Sequence, residues 1–467
     1  MMKYLLAAMF FGVLQPLSMA SEQPNILFIA VDDLRPELGC YGTEHIKTPN
    51  IDRLATGSST FLNSYCSVPT CGASRASLMS SIRPIPGKRF MSYKSRADKE
   101  APEYITLPQH FKNNGYTTIS NGKVFHHIQD SVSGWSEEPY NDIDMDKSCS
   151  AAVNYDKYWK LPENKKYQAQ KRRGPYYERA DISDSEYPDG KIADKTIADL
   201  KRLKDAGKPF FVACGFIRPH LPMNAPKKYF DLYDRDKLPL ETNRQRIVNL
   251  PKQCGNSNEV NSYALVKEDK KSGEFERNIR HGYFACVSFI DAQIGRILDT
   301  LDELDLADNT IVVLWGDHGW HLGEHTFFGK HNTLDNATRA PLIIKAPGVT
   351  KGDKLEQLAE FVDIYPTLCE LAALETPEHC QGVSLKPVLS DTTVEIKDAV
   401  YIAWKNCHTI KTKQFAYTEF VDKQGNVINT MLFDHTNDRE ENVNVVNNPE
   451  YCSVIEKLSN KLNEYNR

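Results

Sequence analysis

Two apolar segments of this chain each end in a pair of polar residues. The segment NILFIAV leads into Asp32 and Asp33, and the segment TIVVLWG leads into Asp317 and His318. Short apolar runs of this kind predict strands that are buried in a parallel sheet. Because ligands of such sheets bind beyond the carboxyl ends of the strands, we expect both polar pairs at one edge of one sheet.

Helix and strand patterns alternate along most of the 467 residues. The segment TPNIDRLATGS predicts a helix with Thr48 as its cap and Pro49 at its first position. The segments that begin TLPQHF and ADKTIAD each predict a helix, a glycine and then a strand. The longest predicted helix begins at FERNIR, and APLIIK predicts a further strand. This alternation predicts an α/β sheet with helices on both faces.

The pattern changes beyond about residue 388. The segments AVYIAWKN, HTIKTKQFAYTEF and VINTMLFDHTND are strand-like and carry hairpin signals, and the chain ends in a helical pattern. We therefore predict a signal peptide at residues 1–20, a large α/β domain at 21–388 and a small antiparallel-sheet and helix subdomain at 389–467.

The first twenty residues have the features of a secretory signal. Lys3 supplies a positive charge, and the apolar stretch from Tyr4 to Leu14 is short for a membrane span. Ser18 and Ala20 place small residues before a cleavage point after Ala20. The alternative is an uncleaved anchor. We expect an exported protein, periplasmic or secreted (or in a lysosome-like lumen if the source is eukaryotic), with no later membrane span.

Composition excludes some functions and raises one question. The net charge of -5 and the absence of a long basic run give no reason to expect nucleic acid as a partner. Eleven cysteines in an exported chain can form disulfides, but the odd number leaves at least one over. Cys66 and Cys71 are not spaced as C-x-x-C, so the common metal and redox motifs do not apply to them.

The acidic strand ends predict a metal site. Placing Asp32 and Asp33 together costs free energy unless a cation or hydrogen bonds compensate, and Asp317 adds a further acid. Hard oxygen ligands favour Ca²⁺ or Mg²⁺ over zinc. The alternative is that these acids are solvated loop residues. Two acidic strand ends in one sheet favour the metal site over this alternative.

Cationic residues recur just beyond other predicted strands. Each histidine among them is, taken alone, as well explained by a structural or surface role. Together, cations around a divalent metal form a site for a doubly charged oxyanion ester, such as a sulfate or a phosphate. The residues concerned are Lys123, His126, Arg218, His220, His325, Lys330 and His331.

Cys71 precedes a helix-like run that contains Arg75. A residue at a helix N-terminus faces free N–H donors and the positive end of the helix dipole, which favours an anionic nucleophile and an anionic ester. Arg75 lies about one turn along and can reach back to the same group. Cys66 lacks this context, so a structural or disulfide role suits it better.

These motifs resemble the sulfatase family. CGASRASLMS is similar to the signature C-x-P-S-R and its helix, and GYTTISNGKVFH to the second sulfatase signature. DDLRPELGCYG, GKVFH and DHGWHLGEH are most similar to the iduronate-2-sulfatase branch. The motifs occur in the family's order between about Asn25 and Ala346. Ala73 stands where the signature has proline, which leaves open which maturation system accepts this chain.

The resemblance implies a nucleophile and a metal. Cys71 would be oxidised by a sulfatase-maturation enzyme to formylglycine, an aldehyde that hydrates to a gem-diol. One hydroxyl of the gem-diol would attack sulfur and displace the alcohol. Deprotonation of the second hydroxyl would then release sulfate and restore the aldehyde. This would account for the odd cysteine. The implied Ca²⁺ ligands are Asp32, Asp33, Asp317, His318 and the modified Cys71.

The resemblance also assigns the surrounding cations. Arg75 and Lys123 would bind the hydrated aldehyde and the sulfate charge, and His126 would assist the nucleophile. His220 and Lys330 would bind sulfate oxygens, with His220 protonating the leaving oxygen. The implied fold is that of alkaline phosphatase, and the implied substrate is a sulfated carbohydrate. Further sugar contacts are expected at residues outside the motifs, namely Lys88, Arg89, His127, Arg218, Trp320 and His321.

Several alternatives stay open at this point. The sugar is either a 2-sulfated uronic acid in a glycosaminoglycan or part of an algal polysaccharide such as ulvan or carrageenan. A phosphomonoester or phosphonate hydrolase on the same fold is a second possible function. A secreted glycan-binding protein without activity is a third, but every expected catalytic position is filled.

Overall fold

A computed structural model describes residues 23–142, 155–169, 173–264 and 272–465 of the chain. The predicted signal peptide at 1–20 lies outside the described residues. Within them the strands are Asn25–Val31 (β1), Ser59–Tyr65 (β2), Thr117–Gly122 (β3), Arg173–Pro175 (β4), Tyr177–Ala180 (β5), Phe210–Phe216 (β6), Met223–Pro226 (β7), Tyr263–Ala264 (β8), Thr310–Gly316 (β9), His321–Leu322 (β10), Phe328–Gly329 (β11), Leu342–Lys345 (β12), Lys354–Glu360 (β13), Val400–Trp404 (β14), Cys407–Lys411 (β15), Phe415–Val421 (β16) and Val427–Asp434 (β17).

The α-helices of the same ranges include those that the sequence predicts. Helix α1 begins at Pro49, directly after Thr48, and α8 is the longest helix. The bounds are Pro49–Thr56 (α1), Cys71–Ser80 (α2), Ala97–Glu100 (α3), Leu107–Asn113 (α4), Pro162–Ala169 (α5), Pro188–Ala206 (α6), Lys227–Phe230 (α7), Gly273–Glu303 (α8), Asp335–Thr338 (α9), Ile364–Leu371 (α10), Lys386–Ser390 (α11) and Cys452–Tyr465 (α12).

The central sheet is mixed and mostly parallel, as predicted. Its strand order across the described residues is β13-β2-β12-β9-β1-β6-β3. Strands β9, β1, β6 and β3 are parallel neighbours, whereas β12 is antiparallel to both β9 and β2. Because β12 is antiparallel to both β2 and β9, these two strands run in the same direction. The carboxyl ends of β2, β9, β1, β6 and β3 therefore lie at one edge.

Helices cover both faces of this sheet. On β1, Leu27, Ile29 and Val31 pack into one core with residues of α1, α6 and α8. The alternate residues Ile26 and Phe28 pack into a second core with residues of α2, α4 and α10. The period of two along the strand produces this division, because successive side chains point to opposite faces. The predicted α/β architecture is confirmed.

The C-terminal part forms a separate antiparallel sheet of β14, β15, β16 and β17 in that order. Leu458 and Leu462 of α12 pack on Ile410 and Leu432 of this sheet. The predicted boundary after residue 388 stays a prediction. That residue lies inside α11, whose Leu389 belongs to a core of the large sheet.

Charged contacts join the two parts. In the interior, Nζ of Lys411 on β15 lies 3.2 Å from a carboxylate oxygen of Asp335 on α9. Over the ranges that the structure covers, no helix has both the length and the apolar content needed to cross a bilayer.

Candidate active site

The predicted polar pairs meet at the carboxyl edge of the sheet. Asp32 and Asp33 directly follow β1, Asp317 and His318 directly follow β9, and all four are fully buried. Hydrogen bonds between the strand ends place them: the amide of Asp317 donates to the carbonyl of Val31 at 3.3 Å. Asp33 has a φ of 58°, which a residue with a side chain adopts at a cost of about 1 kcal/mol.

Three of these buried residues form a candidate metal centre with Cys71. One ligand atom from each of Asp32, Cys71, Asp317 and His318 lies within 4.8 Å of all the others. His318 Nε2 is 3.2 Å from Cys71 Sγ and 3.4 Å from Asp33 Oδ1. Clustered carboxylates next to a sulfur and an imidazole form the donor set of a metal site.

Two buried carboxylate oxygens support this interpretation. Asp32 Oδ1 and Asp33 Oδ2 accept no hydrogen bond from any residue that the structure describes. A buried anionic oxygen without a hydrogen bond is costly, and a bound cation would remove that cost. The residues present therefore fit a divalent cation.

Cys71 is the first residue of α2, as the sequence predicts for the nucleophile. The hydroxyl of Ser74 donates to the carbonyl of Asp317 at 2.5 Å and ties this helix to the end of β9. Gly72 is required here, because a Cβ at that position would lie 2.2 Å from the carbonyl oxygen of Tyr93. Burial and the charge of Asp32 raise the pKa of the Cys71 thiol well above its ordinary value.

Arg75 and Lys123 neutralise one side of the carboxylate cluster. Arg75 Nε donates to Asp317 Oδ2 at 2.9 Å and another of its nitrogens donates to the carbonyl of Val124 at 3.0 Å. Nζ of Lys123 donates to Asp32. Burial alone would raise the pKa of Asp32, but Lys123, His220 and Arg75 together hold it well below its ordinary value.

Lys330 stands on the other side, against Asp33. Its Nζ lies 2.7 Å from Asp33 Oδ1 and 5.0 Å from the ring centre of Trp320. Burial and the neighbouring Asp32 raise the pKa of Asp33 to about 7, although Lys330 opposes the shift. Asp33 and the surrounding carboxylates raise the pKa of Lys330 well above its ordinary value, against the effect of burial.

His220 and Lys330 share a carboxylate that the sequence does not reveal. His220 Nε2 is 3.0 Å from Glu259 Oε1, and Lys330 Nζ is 3.2 Å from Glu259 Oε2. Glu259 begins a short 3₁₀ turn in a polar loop, where no pattern distinguishes it from other acidic loop residues. Burial and Lys330 lower the pKa of His220, whereas Glu259 raises it.

The sequence of the chain also matches the model of a known protein family. The model of the sulfatase family matches residues 24–374. The chain belongs to the sulfatase family. A second model, that of the C-terminal part of N-sulphoglucosamine sulphohydrolase, matches residues 323–467 of this sulfatase. The predicted resemblance is confirmed, and the protein is a sulfuric ester hydrolase.

Individual relatives agree with the family match. Human iduronate 2-sulfatase is 34% identical to this sulfatase over 406 residues, which cover 76% of this chain and 70% of the human one. A protein solved in complex with its substrate D-glucosamine-2-N,6-O-disulfate has a TM-score of 0.76 at 22% identity, over 95% and 97% of the two chains. A phosphonate monoester hydrolase from Silicibacter pomeroyi has a TM-score of 0.74 at 21% identity, over 95% of both chains. At these identities, both structures show the fold alone.

Among the other predicted residues of the sulfatase, His126 is buried and His127 is half-buried. The ring centre of His126 is 6.2 Å from that of Tyr93 and 4.8 Å from that of His127. Burial, with the charges of Lys123 and His127, lowers the pKa of His126 well below its ordinary value. Lys88 is exposed and Arg89 half-buried, with one Arg89 nitrogen 3.4 Å from Glu103.

Three predicted sugar contacts, Arg218, Trp320 and His321, are buried in the structure, and their role in sugar binding stays a prediction. Arg218 is buried with its guanidinium 3.9 Å from the ring centre of Tyr158 and 4.0 Å from a carboxylate oxygen of Asp189. His321 is also buried, with Nε2 3.2 Å from Asn332. Trp320 is buried beneath Lys330. The structure gives all three residues interior packing partners.

Proposed function

We propose that this sulfatase removes sulfate from a sulfated carbohydrate and that Cys71, once converted to formylglycine, supplies the nucleophile. One observation carries the proposal. The ligand atoms of Asp32, Cys71, Asp317 and His318 lie within 4.8 Å of one another, and Arg75, Lys123 and Lys330 surround them. This arrangement places positive charge around a single buried point next to the helix N-terminus.

The implied groups and the residues that would hold them are as follows. A divalent cation, which we propose is Ca²⁺, would be held by Asp32, Asp33, Asp317, His318 and the modified residue 71, and it would balance the charge of the sulfate oxygens. Formylglycine would supply a hydrated aldehyde with two hydroxyl groups. Conversion of Cys71 requires a sulfatase-maturation enzyme as a partner.

The buried cations of the site are proposed to hold positive charge on two sides of residue 71. Arg75 and Lys123 are anchored on carboxylates and hold positive charge beside residue 71. Lys330 holds positive charge on the side of Asp33, and it is proposed to bind a sulfate oxygen. Fixed cations in a site that excludes water stabilise charge that develops during the reaction.

His220 is oriented for proton transfer to the leaving oxygen. Its Nδ1 lies 2.6 Å from the carbonyl oxygen of Leu221. Because a carbonyl oxygen only accepts, Nδ1 carries a proton, and Nε2 is left to hold the proton that can be transferred. Glu259 beside Nε2 favours the protonated ring. His126 is proposed to assist the nucleophile from the side of Lys123.

The substrate class follows from the relatives. The 34% identity to human iduronate 2-sulfatase supports a 2-sulfated uronic acid in a glycosaminoglycan. An algal polysaccharide such as ulvan or carrageenan is the alternative. We propose that the protein acts after export, in the periplasm or outside the cell.

The test combines two measurements on one preparation, made in its own host or together with a maturation enzyme. A peptide mass spectrum across residue 71 should show loss of sulfur and an aldehyde. The same preparation should hydrolyse 4-nitrophenyl sulfate, and the Cys71→Ala variant should not. An unmodified thiol in an active preparation would overturn the proposed nucleophile.

A phosphate or phosphonate ester is the second candidate substrate, because the fold is shared with a phosphonate monoester hydrolase. Parallel turnover of 4-nitrophenyl sulfate, 4-nitrophenyl phosphate and a phenyl phosphonate monoester separates the two. We expect sulfate ester turnover to dominate. A converted preparation that binds sulfated glycans without hydrolysing any ester would favour a glycan-binding role.

A further inference from the structure

Two loops carry the carboxylate and the ammonium beside His220. Glu259 ends the segment 255–259, which we call the glutamate loop, and Lys330 lies in the segment 328–332, which we call the lysine loop. Glu259 Oε1 is 3.0 Å from His220 Nε2, and Glu259 Oε2 is 3.2 Å from Lys330 Nζ. The relative position of the two loops therefore decides whether one carboxylate can contact both cations.

Two hydrogen bonds join the lysine loop to the start of the glutamate loop. The amide of Phe328 donates to Asn256 Oδ1 at 3.1 Å. At the other end of the lysine loop, Nδ2 of Asn332 donates to the carbonyl of Gly255 at 3.3 Å. Both bonds reach residues 255 and 256, so neither of them fixes the far end of the glutamate loop, where Glu259 lies.

Ser257 connects that far end to the lysine loop. The residue is 5% exposed, whereas its two neighbours in the chain are exposed. Its Oγ accepts from the amide of Glu259 at 3.2 Å and lies 3.1 Å from Nδ1 of His331. His331 directly follows Lys330 in the chain. A single hydroxyl group therefore holds the backbone of Glu259 and the residue next to Lys330.

Close packing fixes the surroundings of this hydroxyl. Gly329 has a φ of 99°, and a Cβ at that position would lie 2.8 Å from Cβ of Ser257. The ring of His331 stacks on that of Trp404, with centres 5.1 Å apart and planes 8° apart. The two loops are therefore in direct contact at Ser257, and the imidazole beside its hydroxyl is held in place. Ser257→Ala keeps Cβ and this packing, and it removes the hydroxyl alone.

We propose that Ser257 is a positioning residue for the reaction, and that its hydroxyl keeps the Glu259 carboxylate between His220 and Lys330. In this role Ser257 acts through Glu259 and does not touch the reacting atoms. Without the hydroxyl, the Glu259 amide loses its acceptor and the carboxylate can turn away from His220. The leaving oxygen is then protonated less readily, because Glu259 favours the protonated form of that ring. The inference rests on the proposed function, since it takes His220 as the acid.

The test compares two esters that differ in the basicity of the leaving oxygen. Full-length protein converted at residue 71 is assayed with 4-nitrophenyl sulfate and with phenyl sulfate, whose phenolate is the more basic and depends more on receiving a proton. Ser257→Ala should lower kcat/KM about tenfold for phenyl sulfate and less than about threefold for 4-nitrophenyl sulfate. Because both rates come from one preparation, a loss of folded protein cancels in their ratio.

The matched control is Ser384→Ala. The Ser384 hydroxyl also accepts from the amide two residues later, that of Lys386, at 3.2 Å. It lies just before α11 rather than in either loop. This control should leave the ratio of the two rates unchanged.

A second measurement shows whether Ser257 acts through Glu259. Added to Glu259→Gln, Ser257→Ala should lower kcat/KM for phenyl sulfate by less than about twofold, because the carboxylate that it positions is already lost. The inference is overturned if Ser257→Ala slows both esters equally, if it matches the Ser384→Ala control, or if the effects of the two substitutions multiply. Failure of the proposed function appears separately, as a converted wild-type protein that releases sulfate from neither ester.

Discussion

The sulfur of Cys71 lies 3.2 Å from Nε2 of His318, a residue 247 positions away in the chain. This contact joins the start of α2 to the end of β9. It places the proposed nucleophile inside the cluster of carboxylates rather than beside it. Nucleophile and metal are therefore expected to depend on each other.

Removal of the metal should lower both activity and stability. Without a cation, the buried carboxylates of Asp32, Asp33 and Asp317 repel one another. A ligand at about 100 times its Kd contributes about 2.7 kcal/mol, so for a chain of this size we expect chelation to lower the Tm by about 3 °C. Differential scanning fluorimetry and 4-nitrophenyl sulfate turnover measure the two effects.

Adding metal back and removing one proposed ligand are the controls for this experiment. Added Ca²⁺ should restore both Tm and turnover, and added Mg²⁺ provides the comparison. In the Asp317→Asn variant, chelation should have little further effect, because one ligand is already lost. A wild-type protein that keeps its Tm and activity after complete removal of divalent ions would contradict the metal site.

Glu259→Gln should impair turnover more than substrate binding. The substitution keeps the shape but removes the charge that faces His220 Nε2 and Lys330 Nζ. Loss of such a supporting partner typically costs about 10–100-fold in activity, and we expect this in kcat with KM changed less. The control is Glu303→Gln, at the exposed end of α8. Equal kinetics in both variants would remove Glu259 from the proposed machinery.

Glu360 should make stability depend on pH in the acid range. Its carboxylate contacts Arg83, and it also accepts from Lys397 Nζ at 2.9 Å and from the amide of Tyr401 at 3.2 Å. Burial alone would raise the pKa of Glu360, but Lys397 and Arg83 lower it to about 2 from an ordinary 4.5. Since the folded pKa is depressed, the stabilisation is complete above about pH 5 and is lost as the pH falls towards 2.

Urea unfolding of Glu360→Gln at several pH values measures this contribution. We expect the variant to be less stable than wild type by about 3 kcal/mol at pH 7, with the difference shrinking towards zero near pH 2. Glu356→Gln, an exposed residue on the same strand, is the matched control. A difference that does not change with pH would mean that Glu360 acts through packing rather than charge.

Gly72→Ala should disturb the start of α2. The added Cβ would lie 2.2 Å from the Tyr93 carbonyl oxygen, and backbone cannot give way as a flexible side chain can. We expect a loss of about 1–3 kcal/mol in the free energy of unfolding and a displaced Cys71, with reduced activity. Gly57→Ala is the control, since a Cβ there meets no atom within 4 Å. Equal urea midpoints for the two variants would contradict this account.

Much of the reaction centre could be predicted because it follows from local pattern. The short apolar runs before Asp32 and Asp317 are typical of buried strands, and parallel strands bring their carboxyl ends to one edge. The run after Cys71 has helical spacing, so the cysteine at its start faces the free N–H groups. Resemblance to the sulfatase family then assigned roles to these positions.

Other features depended on how distant segments pack. Glu259 lies in a loop without any pattern, and only the fold brings it between His220 and Lys330. Arg218 follows a strand just as Lys123 does, yet it packs on Tyr158. Loop direction after a strand is set by side-chain packing and charge pairing over long separations, which local patterns do not encode.

The sequence by itself determined which residues stand at the strand ends and at the start of α2, because periodicity and helix-end chemistry act over a few residues. Only the tertiary structure decided that β12 runs antiparallel to its neighbours and that the ring of Trp404 stacks on His331. Those relationships join segments far apart in the chain. Their stability comes from burial and charge pairing that exist only when the whole molecule has folded.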